Sequence, residues 1–152
     1  MPDLTIEPAQ PSDMEWSARL MASTDPWITL GRTYDLCLAR VNRAGSSLFV
    51  ARRDGQLAGF LLMDQYGVAG SPYIASVACS ADTRGQGIGS AMLEFAESLY
   101  PQARFIFLCV SSFNTEARRL YERRGYTLVG ELKDYSMEGA SEHLMWKKLV
   151  RR

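Results

Sequence analysis

Arg84-Gly85-Gln86-Gly87-Ile88-Gly89 is the segment whose residue types and spacing speak first of chemistry. An apolar run ends at Cys79 and reads as a strand. A stripe at Ile88, Met92, Phe95 and Leu99 then predicts a helix from Gly87 to Tyr100. Strand, glycine-rich turn and helix together make an anion site. The first amides of a helix lack internal partners, and the helix dipole places partial positive charge there. Glycine lets the backbone approach a ligand with no Cβ in the way. The expected donors are the amides of Gly85, Gln86, Gly87, Ile88, Gly89 and Ser90, with Arg84 as an added cation. A bland reading stands beside this one: a flexible turn before an ordinary helix, with Arg84 merely solvated. Two common nucleotide motifs do not match. The glycine order differs from the dinucleotide fingerprint, the next strand ends in Cys109-Val110-Ser111 without an acid, and the lysine-serine pair of a phosphate loop is absent.

A second segment follows the next strand. Asn114 and Tyr121 are seven positions apart, two helical turns, and so share a face. An amide and a phenol could line one groove there. Asn114 also suits a helix cap, and Tyr121 also suits a core position with a satisfied hydroxyl. Between Arg84 and Asn114 there is room for one helix and one strand, and a right-handed crossover would bring both segments to one sheet edge.

The elements that must hold these residues are legible from pattern. Leu4-Thr5-Ile6 reads as a strand, Met14 to Met21 as a helix, and Ile28 to Val41 as a second helix started by Thr24-Asp25-Pro26. Residues 47–53 and 56–63 read as strands flanking Asp54-Gly55, a hairpin signal because both central residues need positive φ. Strands are expected at 72–80, 104–110, 126–132 and 143–149, with a helix at 115–124 stopped by Gly125. The order β-α-α-β-β-β-α-β-α-β-β predicts an α/β (α+β) fold with a mixed sheet and helices on its faces.

Composition bounds the function. The 152 residues suit a single domain over 1–152. Lysine plus arginine equal aspartate plus glutamate at 17 each, without the basic surplus usual for nucleic-acid binding. No apolar run reaches the length of a membrane span, and the Met1-Pro2-Asp3-Leu4 start carries no secretory pattern. Cys37, Cys79 and Cys109 form neither a disulfide framework nor a metal pattern, so no metal is expected. A cytoplasmic protein is the expectation, with a homodimer as the default assembly.

Arg84-x-x-Gly87-x-Gly89 followed by Asn114-x-x-Ala117-x-x-Leu120-Tyr121-Glu122-x-x-Gly125-Tyr126 resembles the GNAT superfamily of N-acetyltransferases, most densely from Tyr73 to Leu132. The resemblance implies a GNAT-like acyl-CoA N-acyltransferase fold, acetyl-CoA as co-substrate, and a small-molecule or peptide amine as acceptor. It further implies that the backbone of Val77, Ala78 and Cys79 pairs with the pantetheine arm. The amides of residues 85–90 would hold the pyrophosphate, Asn114 would bond the arm, and Tyr121 would lie near the thioester sulfur. The implied reaction is direct transfer in a ternary complex, with an amide near Val77 facing the oxyanion and Tyr121 as general acid.

The base is not legible. Some members carry glutamate on the strand before the asparagine, where this chain has Leu108-Cys109-Val110-Ser111. Glu142, Asp64, Glu138 and a water chain remain as alternatives, and His143 reads as structural. Acceptor selectivity is expected from the paired helices, the 65–72 connection and the hairpin before Glu142. Trp27, Tyr34, Tyr66, Tyr73 and Tyr135 are either an aromatic wall or core. The competing functional reading is a non-catalytic acetyl-CoA sensor or interaction module with the same fold.

Overall fold

A computed structural model of the chain describes residues 3–149, and the reading of Met1-Pro2 falls outside them. The elements are β1 (Leu4–Pro8), α1 (Pro11–Ala22), α2 (Tyr34–Val41), β2 (Ser46–Arg53), β3 (Gln56–Val68) and β4 (Ser71–Cys79). A short 3-10 turn (Ala81–Thr83) leads to α3 (Ile88–Ser98), β5 (Phe105–Ser111), α4 (Thr115–Arg123), β6 (Thr127–Met137) and β7 (Ala140–Lys148). One seven-stranded sheet has the order β1-β2-β3-β4-β5-β7-β6. Every neighbouring pair is antiparallel except β4 and β5. The predicted element order holds.

Period-two alternation divides the sheet's contacts. Phe60 and Leu62 of β3 pack with Ala18, Met21, Cys37 and Val41 from α1 and α2. Leu61 and Met63 turn the other way, to Ile88, Met92, Leu93 and Ala96 of α3 and Tyr121 of α4. A strand buried on both faces must be apolar throughout, and β3 is buried from Ala58 to Met63. The Asp54-Gly55 hairpin forms with φ of 51° and 81°, as the turn chemistry demands. Asp13 starts α1 by accepting the Gln10 amide at 2.9 Å and also holds Arg52 at 2.8 Å. Gly125 stops α4 with φ of 95°.

The second predicted helix is shorter than its pattern. Residues 25–31 form successive turns, and α2 starts only at Tyr34, capped by Thr33. Gly31 has φ of 71°, which ends helical geometry there. The apolar spacing of Ile28 and Leu30 has another cause: both line the cleft described below. The 65–72 connection is likewise not a loop. β3 and β4 run into it and close through Ala69-Gly70, with φ of 49° and 79°. Both last strands also run beyond the apolar stretches, since β6 and β7 pair into the hairpin at Met137 and Ala140. Among the described residues no helix is long and apolar enough to cross a membrane.

Candidate active site

β4 and β5 run side by side for only two rungs, Tyr73 opposite Phe107 and Ile74 opposite Leu108. Beyond them the strands part. The cause is local: β4 pairs Ile74 with Met63 and Ser76 with Leu62, leaving Ala75 as an extra residue. Such a bulge bends and twists its strand. The edge of β4 from Ala75 to Cys79 therefore has no strand partner on the β5 side, while its other edge stays paired to β3. Strand edges left open inside a fold need donors and acceptors from elsewhere. A cleft of about 900 Å³ opens between the two strands, lined by Val77, Ala78 and Cys79 among others.

The glycine-rich turn closes one end. Gly85 and Gly87 have φ of 79° and 82°, and Gly87 caps α3, whose first internal bond runs from Ala91 N–H to the Gly87 carbonyl. The amides of Gly85 to Ser90 have no backbone acceptor among the described residues. Gly85, Gly87, Ile88, Gly89 and Ser90 line the cleft with Arg84, which is exposed and in no ion pair among the described residues. Gln86 does not line it. Arg53 donates to the Gln86 side-chain oxygen at 3.0 Å, which ties the turn to β2 instead. At Gly89 a Cβ would come within 3.2 Å of Leu120, so glycine also lets α3 approach α4.

The second predicted segment meets the first across this gap. Asn114 and Tyr121 both line the cleft, as their two-turn spacing requires. Asn114 caps α4 through its side-chain oxygen, which accepts the Ala117 amide at 3.3 Å. Its side-chain NH₂ has no protein partner among the described residues, so capping and ligand binding are compatible. Tyr121 is 8% exposed and packs edge-on against Tyr126 at 6.2 Å. No protein group among the described residues hydrogen-bonds its hydroxyl. Burial, and then the nearby Cys79, push its pKa up to about 12, so the phenol keeps its proton at neutral pH.

The opposite wall is less regular. Ser111 of β5 lies across from Glu142 of β7, and both line the cleft. Ser111 Oγ and Glu142 Oε2 are buried without a hydrogen-bond partner among the described residues. Tyr73 and Cys109 lie beside them. Burial raises the Tyr73 phenol, and contact with Cys109 and the Glu142 charge raise it further. Burial also raises the Cys109 thiol. Glu142 thus lines the cleft, whereas the other acids considered for the base do not. Asp64 pairs with Arg40 at 2.8 Å and Arg43 at 3.6 Å, and Glu138 sits in the β6–β7 turn. His143 lies outside the cleft, between Arg118 and Glu131. Of the five aromatics, Trp27 and Tyr73 line the cleft. Trp27 also packs on Phe60, and Tyr34 packs beside that core cluster, while Tyr66 and Tyr135 are exposed. Ser111 carried no motif signal, because only strand register brings it to Glu142.

The sequence pattern of the acetyltransferase (GNAT) family matches residues 10–126, and the chain belongs to that family. An uncharacterized N-acetyltransferase of Methanocaldococcus jannaschii is 37% identical over 105 residues, 66% of this chain and 65% of that relative's length. The chain thus matches about two thirds of that curated relative. The crystal structure of Ard1 from Thermoplasma volcanium superposes with a TM-score of 0.76 at 25% identity, over 97% of this chain and 99% of that one. An aminoglycoside 6'-N-acetyltransferase complexed with coenzyme A shares the fold, with a TM-score of 0.77 at 15% identity over 97% and 98%.

Proposed function

We propose that this chain transfers an acetyl group from acetyl-CoA to a primary amine, both substrates being held together in the β4–β5 cleft. One observation carries the reading. The open edge of β4 leads to the turn at residues 85–90, whose amides have no backbone acceptor among the described residues, Gly89 alone donating to the Cys79 thiol, and the unbonded Tyr121 hydroxyl lines the same space. An extended amide-bearing arm would complete the strand edge, and a diphosphate would take the amides. Val77, Ala78 and Cys79 would bond the arm, as would the free NH₂ of Asn114. Arg84 adds charge compensation at the turn. The complexed aminoglycoside enzyme binds coenzyme A on this fold, which supports the same donor here.

The chain's residues then supply position and proton transfer, while the thioester supplies the chemistry. An amide near Val77 polarises the thioester carbonyl as negative charge gathers on its oxygen. Tyr121 donates its proton to the departing sulfur. A phenol held at about pKa 12 is fully protonated at neutral pH and so available for that step.

A thermal-shift panel tests the donor. A ligand bound only by the folded chain stabilises it by about 2.7 kcal/mol at a hundredfold excess over Kd. Acetyl-CoA should raise Tm, and ATP and NAD should not. Thiol release that depends on added amine should follow. Stabilisation by acetyl-CoA with no thiol release from any amine would leave a non-catalytic binding module.

A further inference from the structure

Two buried polar atoms in the cleft are left over once the donor is accounted for. Glu142 Oε2 and Ser111 Oγ stand on opposed positions of β7 and β5, on the sheet face away from α3 and α4. The register fixes that face. Val110, one position before Ser111, and Met145, three positions after Glu142, pack in the α3–α4 core; both separations are odd, so Ser111 and Glu142 point the other way. Ser111 is 3% exposed. A buried carboxylate oxygen without a donor is costly, and such exceptions call for a missing partner.

The protein supplies no cation to Glu142 among the described residues. Arg40 comes nearest in effect, through its charge on Tyr73, but it is bound to Asp64 and Ser46. The other groups facing Glu142, the Tyr73 phenol and the Cys109 thiol, are held neutral by burial. A neutral ligand would leave the carboxylate's charge unbalanced. An alkylammonium would not: it carries a full charge and three hydrogens, enough to serve Glu142 Oε2, Ser111 Oγ and one further acceptor. Trp27, Ile28 and Leu30 wall the same cleft and offer apolar contact to a stem.

We propose that Glu142 and Ser111 form the seat of the acceptor's ammonium group, and that Glu142 is the catalytic base for a primary alkylamine. This rests on the acetyltransferase reading. Glu142 accepts one proton from the ammonium, freeing the nitrogen lone pair. The nitrogen forms a bond to the thioester carbon, and the carbon–sulfur bond breaks. Tyr121 gives its proton to the leaving sulfur, and its phenolate recovers one from the acylated nitrogen. Glu142 releases its proton to solvent. The net change is ammonium plus thioester to amide plus thiol plus one proton.

The test uses n-butylammonium as probe, titrated calorimetrically into the chain saturated with coenzyme A. Wild type should bind it and should not bind n-butanol. Glu142→Gln should weaken binding by at least about tenfold, the value of a hydrogen bond to a charged group, and slow butylamine acetylation at least about a hundredfold. Its acetyl-CoA affinity should stay unchanged, which also certifies folding. Should Glu142→Gln fail that folding check, Ser111→Ala takes its place and should weaken n-butylammonium severalfold. No n-butylammonium binding by wild type, or equal binding by the folded variant, overturns this seat. Failure of wild type to bind acetyl-CoA instead overturns the donor reading, so the two failures are distinguishable.

Discussion

One wall of the cleft draws on two short stretches of chain, Arg84 to Ser90 without Gln86, and Asn114 to Tyr121. The facing wall draws on Asp25 to Leu30, Tyr73, Cys109, Ser111 and Glu142, which come from separate parts of the sequence. The first wall works largely through backbone: amides that glycine conformations aim outward, and a strand edge opened by a bulge. The second works through side chains delivered by strand register. Backbone groups suit a donor that is the same in every turnover, because any residue supplies an amide. Side chains suit whatever must be selected, because their identity can change without disturbing the fold.

The largest expected effect falls where the two walls meet. Tyr121→Phe keeps the ring packed on Tyr126 but removes the hydroxyl proposed as proton donor. Its kcat should fall about 10²–10⁴-fold, with acetyl-CoA affinity little changed by isothermal titration. Unchanged turnover would remove Tyr121 from the chemistry and leave its wall a binding surface only.

A backbone wall should also be sensitive to volume. At Gly59, opposite Cys79, a Cβ would lie 2.8 Å from the Ala78 carbonyl oxygen and 3.0 Å from Met92 Cε. The carbonyl is main chain and cannot swing aside. Gly59→Ala should cost about 1–3 kcal/mol in urea unfolding and weaken acetyl-CoA binding by shifting β4. The opposite wall should tolerate change. Ile28 is 54% exposed at the cleft, so Ile28→Ala should alter stability by no more than about 0.5 kcal/mol. It should raise KM for butylamine severalfold and spare acetyl-CoA. A reversed pattern, stability lost at Ile28 and donor binding intact at Gly59→Ala, would dissolve the contrast between the walls.

The same contrast explains what could be read in advance. The turn at 84–89 and the helix at 115–124 were legible because their constraints are local: positive φ at Gly85 and Gly87, a cap at Asn114, and two helical turns to Tyr121. The hairpin at Asp54-Gly55 was legible for the same reason. The segment 28–33 was misread because Ile28 and Leu30 face a cleft rather than a helix stripe, and Gly31 breaks the helix. Glu142 stayed one of several acids because nothing in its own neighbours says that it faces Ser111. Only the β5–β7 register decides that, since a slip of one residue would turn it to the α4 side.

The smallest expected effect is on kcat in mild alkali. A phenol of ordinary pKa near 10 would begin losing its proton there, and a general acid so placed would give a falling limb in the pH profile. Tyr121 is held up at about 12 by burial, so kcat should show no such limb below about pH 10. Stability should carry the signature instead. The folded pKa lies above the unfolded one, so the folded chain binds more protons between them. The stability that Tyr121 contributes is thus present below about pH 10 and is lost as pH rises toward 12. Tyr73 and Tyr126, both raised by burial, act in the same direction. The urea midpoint should therefore fall above pH 10, and Tyr121→Phe should make that fall shallower. A falling limb in kcat below pH 10 that disappears in no variant but Tyr121→Phe would mean the donor's arrival exposes the phenol. The two walls would then differ in permanence as well as in construction.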